Sequence, residues 1–358
     1  MHKSEEHDGK GRQSKKSRVT IKEVAYALGI SKSTVSRALN GYSDIAEHTR
    51  LNVQRTAQEL GYKPMIHAQA IRTGLVRSLG MVLNADSHDG HRPFLADFID
   101  GISRRASQDS WTLTVATASH ALGVLTTIKR LSDEHTVDGF ILPRTRVEDP
   151  RVHYLVKAHV PFIMFGRTGD DTECGWYDID AAKAMQEAVL RLVGMGHVRI
   201  GFINGLERYM YAKVRYEGYC DGLKKAGLPY EDCLVRHAAV TRRDGAREGA
   251  ILLDLPERPT AIICAVDLAA LGVYRAAHDR QLMIGSDLSI ISYDGIAEGE
   301  YASPPLTSFF VDNREAGERL ADLLIRRIQG DAPESLRQLG EAQLIARASD
   351  GPPVIRSA

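Results

Sequence analysis

Apolar residues recur with the spacing of an amphipathic helix near the start of the chain. The first set occupies positions i, i+3, i+4 and i+7, which share one helical face: Ile21, Val24, Ala25 and Leu28. Thr20 is placed to cap this helix, and Glu23 stands three residues later to complete a capping box. Gly29 can end the helix because glycine readily adopts a positive φ.

Two more helices are predicted after short connections. Ser31 can cap a second helix, which Asn40-Gly41 ends, and a third is predicted over 49–60. Their inward positions are Val35, Ala38, Leu39, Val53, Ala57 and Leu60. Two short helices joined by a tight glycine turn form a helix-turn-helix pattern, although an ordinary helical hairpin has the same spacing. The polar side of the second helix favours DNA, since it carries Lys32, Ser33, Ser36 and Arg37.

From Ser78 onward the pattern changes to alternating strands and helices. Apolar runs predict strands over 79–84, 112–116, 139–143, 161–166, 199–204, 261–266 and 289–293. Amphipathic helices are predicted at 180–195, 212–226, 267–280 and 314–329. This order indicates parallel α/β sheets, in which ligands bind beyond the carboxyl ends of the strands. The residues that follow the strands are Asp86, Arg144, Arg167, Asn204, Asp267 and Asp294.

Charge is distributed unevenly along the chain. The 358 residues include 46 Lys and Arg and 46 Asp and Glu, so the formal net charge is zero. Residues 1–77 hold 14 basic and 7 acidic side chains, a net charge of +7, and the remainder has a net charge of −7. A basic head on an acidic body is typical of a nucleic-acid-binding module joined to another domain. Residues 1–18 have the composition of a disordered basic arm.

Several classes of protein are disfavoured by the sequence. No apolar run approaches the ~20 residues of a membrane span, and the N-terminus lacks the apolar stretch of a signal peptide, so a cytoplasmic location is expected. The four cysteines have no CxxC spacing, which argues against a disulfide framework or a cysteine zinc site. P-loop, GxSxG and HExxH motifs are absent from the sequence. We therefore expect a protein that is not an enzyme and binds no cofactor or metal, and we interpret His88 and His91 as part of a solvated loop.

The stretch VTIKEVAYALGISKSTVSRALNG resembles the signature of the LacI/GalR family of bacterial transcription regulators. Further resemblances follow in the family's order: TRLNVQRTAQELGYKP, VDGFILP, VPFIMFGR, GHVRIGFING, RYEGYCDGL, TAIICAVDLAALG, LSIISYDG and PPLTSFFVD. Together they cover roughly residues 19–350, and the body also resembles regulators of α-glucoside use. The resemblance implies an all-α helix-turn-helix head and an α/β body of the periplasmic-binding-protein type, with two parallel-sheet subdomains.

The resemblance also implies the division of the chain. A disordered basic arm is expected over 1–18, the helix-turn-helix domain over 19–63, and a hinge helix and linker over 64–77. The effector-binding and dimerisation domain then covers 78–345, followed by a tail over 346–358. Its N-subdomain is expected at about 78–178 and 311–340, and its C-subdomain at about 179–310 and 341–350.

By the same resemblance, the second helix is the recognition helix and begins at Ser31. Lys32, Ser33 and Arg37 then face base edges, which suits their chemistry, because arginine can bind guanine with two hydrogen bonds. Four residues suit phosphate contacts: Thr20, Tyr26, Thr34 and Ser36. The hinge helix of the family forms on the operator and inserts a wedge into the minor groove, here Ile71 flanked by Ala68 and Arg72. A solvated basic face and a flexible linker with a buried Ile71 are the alternatives.

The resemblance places an effector cleft between the two subdomains. Arg215 matches an arginine that grips ligand oxygens, Asp294 an aspartate that binds hydroxyls, and Phe94 an aromatic on the cleft wall. Four residues after strand ends complete the candidate set: Arg144, Arg167, Asn204 and Asp267. Two positions depart from the family, because Val266 replaces the usual asparagine and Gly166 an aspartate. A structural salt bridge is the alternative for Arg215 and Asp294, and Trp176 suits either a sugar stack or the core.

These observations predict a repressor in the bacterial cytoplasm, associated with the nucleoid, that binds a near-palindromic double-stranded operator as a homodimer. A small-molecule effector controls operator affinity, and an acid, an arginine and aromatic rings suit a sugar. Either an inducer or a co-repressor fits this arrangement. The alternative is a sugar-binding or sugar-processing protein whose helical head does not bind DNA.

Overall fold

The head consists of a three-helix cluster. A computed structural model of the protein describes residues 19–62, 74–85 and 94–354, and the chain separates into one unit over 1–76 and another over 77–358. The head helices are α1 Ile21–Leu28, α2 Lys32–Leu39 and α3 Glu47–Glu59. They bury most of the predicted apolar stripes against one another: Val24, Ala25, Val35, Ala38, Val53 and Ala57. The prediction was wrong for Leu60, which is 39% exposed because it lies at the C-cap, beyond the last turn that packs in the core.

Local signals determine where these helices begin and end. The Glu23 carboxylate accepts a hydrogen bond from the Thr20 backbone N–H at 2.6 Å, as the predicted capping box requires. The Ser31 hydroxyl accepts from the Thr34 N–H at 3.0 Å at the start of α2. Helix α3 begins at Glu47, two residues before the predicted start, where an acidic side chain in the first turn is favoured by the helix dipole.

The body contains two six-stranded sheets with helices between their strands. The first sheet comprises β1 Ser78–Asn84, β2 Thr112–Ala118, β3 Gly139–Leu142, β4 Phe162–Phe165, β5 Gly175–Ile179 and β11 Arg337–Gly340. The second comprises β6 Ile200–Ile203, β7 Val235–Arg236, β8 Ala261–Cys264, β9 Ser289–Asp294, β10 Thr307–Phe310 and β12 Gln343–Ile345. The α-helices of this unit are α4 Phe94–Gln108, α5 Ala121–Asp133, α6 Pro150–Lys157, α7 Ala181–Gly194, α8 Met210–Ala226, α9 Arg242–Leu253, α10 Asp267–His278, α11 Ala297–Glu300 and α12 Asn313–Ile328.

Strand order confirms the predicted architecture of two subdomains, each built on a mainly parallel sheet; the first lobe contains the first sheet and the second lobe the second. The first sheet has the order β11-β5-β4-β3-β1-β2 and the second β12-β10-β9-β8-β6-β7. The chain passes between the sheets three times, after β5, after β10 and between β11 and β12. The carboxyl ends of the inner strands of each sheet therefore border a cleft whose walls come from different lobes.

One strand departs from the expected parallel pattern. β12 pairs antiparallel with β10, with Phe309 opposite Leu344. Its link to β11 of the other sheet spans only residues 341–342, so β12 follows directly from a strand of the first sheet and not from a helical crossover out of β10. The second sheet is therefore mixed, with an antiparallel strand at one edge, whereas all strand pairs of the first sheet are parallel.

Close packing of helices fixes the shape of each lobe. In the first lobe, α12 lies directly against α4, and a Cβ at Gly101 would stand 2.0 Å from the Arg314 carbonyl oxygen. A Cβ at Gly317 would stand 2.3 Å from the Phe98 carbonyl oxygen. Two glycines thus allow the helix backbones to approach to contact distance. Around the second sheet, buried Ile262, Ile290 and Val273 belong to one continuous core.

Five strands were not predicted from the sequence: β5, β7, β10, β11 and β12. β5 alternates buried and half-buried residues and includes Trp176 and Asp178, so it lacks a continuous apolar run. β11 and β12 are short edge strands with no fully buried residue, so neither has the continuous apolar run of an inner strand. Among the described residues, no helix is long and apolar enough to cross a membrane.

Candidate DNA interface and effector cleft

The polar residues predicted to contact DNA lie on the exposed surface of the head. Thr20, Ser31, Lys32, Ser33 and Arg37 are exposed, and the side chain of Tyr26 is 91% exposed. Thr34 and Ser36 are half-buried beside them. An uncovered tyrosine of this size on a small basic domain provides contact area and a hydroxyl donor for a phosphate.

Caps and turns fix the orientation of this surface. The Ser31 hydroxyl lies 2.6 Å from that of Ser33 and 2.9 Å from that of Thr34. The Asn40 amide donates to the Ser36 carbonyl at 2.7 Å and so closes α2. Arg37 forms an ion pair with Asp44 and also lies over the ring of Tyr42. The predicted hinge residues Ala68, Ile71 and Arg72 lie outside the residues that the structure describes, as do Asp86, His88 and His91.

A cavity of about 180 Å³ lies in the body between the two sheets. Five residues predicted for the effector cleft line it: Phe94, Arg144, Arg167, Arg215 and Asp294. Gly166 and Val266, the two positions that depart from the family, line it as well. The wall also contains aromatic and aliphatic side chains, among them Phe165, Tyr211, Tyr293, Val214, Val240 and Ile296.

The second sheet contributes an arginine and an aspartate that face the cavity. Asp294 ends β9 with a φ of 125°, and Arg215 lies on α8 with its Nη2 3.6 Å from the Asp294 Oδ1. Arg215 Nη1 donates to the Ala265 carbonyl, and the guanidinium lies 3.8 Å from the centroid of the Tyr293 ring. Arg215 Nε is buried without a hydrogen-bond partner among the described atoms. This arrangement leaves an arginine donor and a carboxylate for ligand hydroxyls.

The first sheet contributes a second pair of the same kind. Arg167 follows β4 and donates from Nε to the Asp178 Oδ2 on β5 at 2.7 Å. The other Asp178 oxygen accepts from the Ile179 N–H at 2.9 Å. The Arg167 guanidinium lies 5.6 Å from the ring of Trp176, which packs beside the lobe's core and does not line the cavity. Each lobe thus places one arginine–carboxylate pair on its wall.

Aromatic rings surround the third arginine. Arg144 follows β3 with a φ of 53°, and its guanidinium lies 4.3 Å from the ring of Tyr209 and 5.6 Å from that of Tyr211. The Tyr211 hydroxyl is buried without a hydrogen-bond partner among the described atoms. A buried donor of this kind is costly unless a water or a ligand satisfies it.

Two residues predicted for the site do not line the cavity. Asn204 is 2% exposed, and its amide donates to the Ala212 carbonyl at 3.1 Å and accepts from the Gly205 N–H at 2.8 Å. Asp267 is fully buried and accepts from Ile296 N–H at 2.8 Å and Ser308 Oγ at 2.6 Å. Both side chains tie together backbone segments behind the wall.

Burial dominates the electrostatics of the carboxylates. It raises the pKa of Asp294 above its ordinary value, and the positive charge of Arg215 offsets this only in part. Burial also raises the pKa of Asp267, and the neighbouring Asp294 charge adds to that rise. The pKa of Asp178 is raised by burial against the lowering effect of Arg167. A ligand that donates hydrogen bonds to these carboxylates favours their ionised forms.

Asp178 and Tyr211 are two of the polar cavity residues that were not predicted from the sequence. Asp178 lies within β5, which has no apolar run, and its partner Arg167 is eleven positions away along the chain. Tyr211 lies in the first turn of α8, one turn before Arg215. The i, i+4 spacing of Tyr211 and Arg215 was the one available signal, because it puts both side chains on one helix face. Within the described ranges, no group of three or more His, Cys, Asp or Glu could hold a metal ion.

Comparisons with known proteins agree with this geometry. Residues 20–65 match the bacterial regulatory proteins of the lacI family, and residues 189–349 match the periplasmic binding protein-like domain. The HTH-type transcriptional regulator AglR of Rhizobium meliloti (strain 1021) is 36% identical over 351 residues, 95% of this chain and 96% of AglR.

Two solved structures extend the comparison to the fold. The lac repressor dimer bound to operator and the anti-inducer ONPF aligns with a TM-score of 0.80 at 25% identity, covering 93% of this chain and 99% of that one. The complex of the transcriptional regulator CelR with cellobiose aligns with a TM-score of 0.72 at 28% identity, covering 93% and 100%.

The helix-turn-helix head and the two-lobed body with a ligand cleft together define a transcription regulator that responds to a small molecule. The chain belongs to the lacI family of bacterial regulatory proteins. It is a DNA-binding regulator and not an enzyme. The family resemblance predicted from the sequence motifs is confirmed.

Proposed function

We propose that this protein is a homodimeric repressor whose affinity for a near-palindromic operator is controlled by a neutral sugar bound between the lobes of its body. The observation that supports this most directly is the pair of arginine–aspartate contacts on opposite walls, Arg167–Asp178 and Arg215–Asp294. Each pair offers donors and acceptors side by side, which suits adjacent hydroxyl groups.

Ion pairing at two of the three lining arginines favours a neutral ligand over an anionic one at those positions. Two of the lining arginines already have a carboxylate within 4 Å, so a phosphate or carboxylate on the ligand would approach Asp178 or Asp294 as well. The rings of Phe94, Phe165 and Tyr211 supply the apolar face that a sugar ring requires. Because the body resembles regulators of α-glucoside use, an α-glucoside is the effector to test first.

The head supports sequence-specific binding. Lys32, Ser33 and Arg37 are the proposed base readers, and Thr20, Tyr26, Ser31, Thr34 and Ser36 the proposed residues that orient the head on phosphates. One head covers a half-site, so a near-palindromic operator requires two copies. We place the dimer surface along the body near α4, with α10 as a second contact.

The domain boundaries that follow are 19–63 for the helix-turn-helix domain, 64–77 for the hinge and 78–345 for the effector domain. In the hinge we assign Ile71 as the minor-groove wedge, with Ala68 and Arg72 beside it. Ile71→Ala should then weaken binding to the operator more than binding to random duplex, and equal losses on both would contradict a wedge.

Effector control follows from linkage between the cleft and the head. A ligand that contacts both walls stabilises one relative arrangement of the lobes. If the arrangements differ in operator affinity, ligand binding changes the affinity of the protein for its operator. An inducer lowers operator affinity and a co-repressor raises it, and both would act through the same cleft, hinge and head. We place this activity in the cytoplasm, on the nucleoid.

A ligand screen on the full chain tests the proposal. Neutral mono- and disaccharides, α-glucosides among them, are compared with sugar phosphates by thermal shift, because a ligand of the folded state raises the melting temperature. A DNA duplex selected by the protein from a random library then serves as the operator. A neutral sugar should raise the melting temperature and change the affinity for that duplex. Selective stabilisation by phosphorylated sugars, or sugar binding with no change in DNA affinity, would contradict the proposal.

A further inference from the structure

The turn after α2 brings two side chains of the head against Arg37. Gly41 has a φ of 70°, the Tyr42 N–H donates to the Arg37 carbonyl at 3.1 Å, and the Gly41 N–H donates to the Ala38 carbonyl at 3.2 Å. These bonds form a Schellman motif, which reverses the chain beside the last turn of the helix. The Ile45 N–H donates to the Tyr42 carbonyl at 3.2 Å and tightens the next turn, which carries Asp44.

The two side chains contact different parts of the Arg37 guanidinium. Its centre lies 5.4 Å from the Tyr42 ring centroid, and Nη2 donates to the Asp44 Oδ2. The Arg37 and Asp44 side chains remain 50% and 48% exposed, and Tyr42 is 44% exposed. A guanidinium carries donors on all three nitrogens, so a contact at Nη2 and a ring against one face still leave an outward edge. Reading guanine uses one such edge.

We propose that Asp44 and Tyr42 are positioning residues that hold Arg37 ready to read one base pair, so that they set sequence selectivity without contacting a base. The inference rests on the proposed role of Arg37 as a base reader. A long arginine side chain loses conformational freedom when it binds, and holding it in place beforehand reduces that cost for the matching base.

The charge of Asp44 distinguishes this role from general DNA binding. A carboxylate on the DNA-facing side of a basic head opposes phosphates, so it lowers affinity for every duplex alike. Asp44 therefore lowers general affinity, and we infer that it increases discrimination at the base pair that Arg37 reads. A purely structural ion pair between two half-exposed side chains would not produce that combination.

The experiment compares variants of the full chain on a duplex that the unaltered protein selects from a random library, on its single-base-pair substitutions and on random duplex. Asp44→Asn should reduce discrimination about threefold to tenfold at the one base pair that Arg37→Ala also affects. Its affinity for random duplex should be unchanged or higher. Tyr42→Leu should reduce discrimination at the same base pair, whereas Tyr42→Phe, which keeps the ring, should preserve it.

Two controls isolate the positioning role. Glu47→Gln removes an acid from the start of α3, whose closest basic partner is Arg50 at 3.9 Å, and it should leave discrimination unchanged. In an Arg37→Ala background, Asp44→Asn should cause no further loss of discrimination. Thermal unfolding of each variant shows that the head remains folded.

The possible failures are distinguishable. If Arg37→Ala causes no loss confined to one base pair, the role of Arg37 as a reader is wrong and this inference falls with it. If Arg37→Ala does cause such a loss but Asp44→Asn does not, or if its loss is spread over all base pairs, the positioning role alone is overturned. Sharper discrimination in Asp44→Asn would also overturn it, because Asp44 would then compete with the base for Arg37.

Discussion

The head and the effector cleft present their functional side chains in opposite ways. The residues proposed to contact DNA are close together in sequence, mostly exposed, and oriented by caps and turns within a few positions, as at Ser31 and Gly41. The cleft's residues are far apart in sequence and half-buried or buried, and tertiary partners orient them, as Arg167 orients Asp178. A surface that binds a polyanion can remain hydrated until it binds. A cavity for a small neutral ligand buries polar groups, and each of them needs a hydrogen-bond partner from the protein, from water or from the ligand.

This difference predicts where substitutions have large effects. In the cleft, removing one member of a pair leaves a poorly compensated charge in a low-dielectric site, and such changes are costly. On the head, each contact is formed in competition with water, and the free energy of binding is shared among several side chains. A single substitution there should therefore have a smaller effect.

The largest effect is expected for Asp294→Ala. The ligand loses a charged acceptor and Arg215 loses its carboxylate, so effector affinity should fall by ~1.5–3 kcal/mol, about 10- to 150-fold. Titration calorimetry with the sugar found by the screen measures this, and operator affinity without sugar should stay unchanged. A normal effector response in this variant would remove Asp294 from the site.

Arg37→Ala is the corresponding change on the head. It should weaken operator binding by ~1–3 kcal/mol and relax the preference at one base pair, because a base-edge contact is lost. Binding to a set of single-base-pair substitutions measures this. Arg55→Ala, which removes an exposed arginine on α3 that hydrogen-bonds Asn52, is the matched control and should leave base preference intact. If Arg37→Ala weakens all duplexes equally, Arg37 contacts phosphate only.

The features that could be predicted from the sequence are mainly those of the head, where residues close together in sequence orient one another. The three head helices, their caps and the exposed polar set depend on residues within a few positions of one another, so spacing alone was sufficient at Thr20, Glu23 and Ser31. The α/β class also followed from apolar runs. The edge strands β11 and β12 did not, because neither has the continuous apolar run of an inner strand.

In the cleft, the sequence predicted which residues follow the carboxyl ends of the strands, but it did not predict the direction in which each side chain points. Asn204 and Asp267 follow strands as Asp294 does, yet they turn to buried backbone and hydroxyl partners. Asp178 was missed because its role depends on Arg167, which reaches it from the loop that follows the neighbouring strand β4. Such pairings are created by topology and are not encoded at any fixed spacing.

Asp178→Asn tests whether this missed residue belongs to the binding surface. The amide keeps the shape and one acceptor but loses the charge that strengthens hydrogen bonds, so effector affinity should fall by ~1 kcal/mol, about fivefold. Asp170→Asn, an acid on an exposed turn that bonds Thr172, is the matched control and should bind the effector normally. Equal affinity of Asp178→Asn and the unaltered protein would confine Asp178 to a structural role.

The smallest expected effect is a dependence of effector affinity on pH. Burial raises the pKa of Asp294, so its ionised fraction declines at a higher pH than for an exposed aspartate. Asp267, Arg215, Arg144 and Tyr293 surround it, and the arginines oppose the rise. Since sugar hydroxyls favour the ionised form, affinity should fall a few-fold between about pH 8 and about pH 5.

The same shift has a defined sign for stability. A carboxyl whose pKa is raised by folding stabilises the folded state most below its ordinary pKa, and that contribution is lost as pH rises through the raised value. Acidification should therefore weaken sugar binding while this carboxyl's contribution to the free energy of unfolding increases. Calorimetry and thermal unfolding across the range, with Asp294→Asn as the reference, separate the two trends. A pH dependence of binding that persists in Asp294→Asn would assign it to Asp267 or Asp178 instead, because these are the other carboxyls at the cleft whose pKa burial raises.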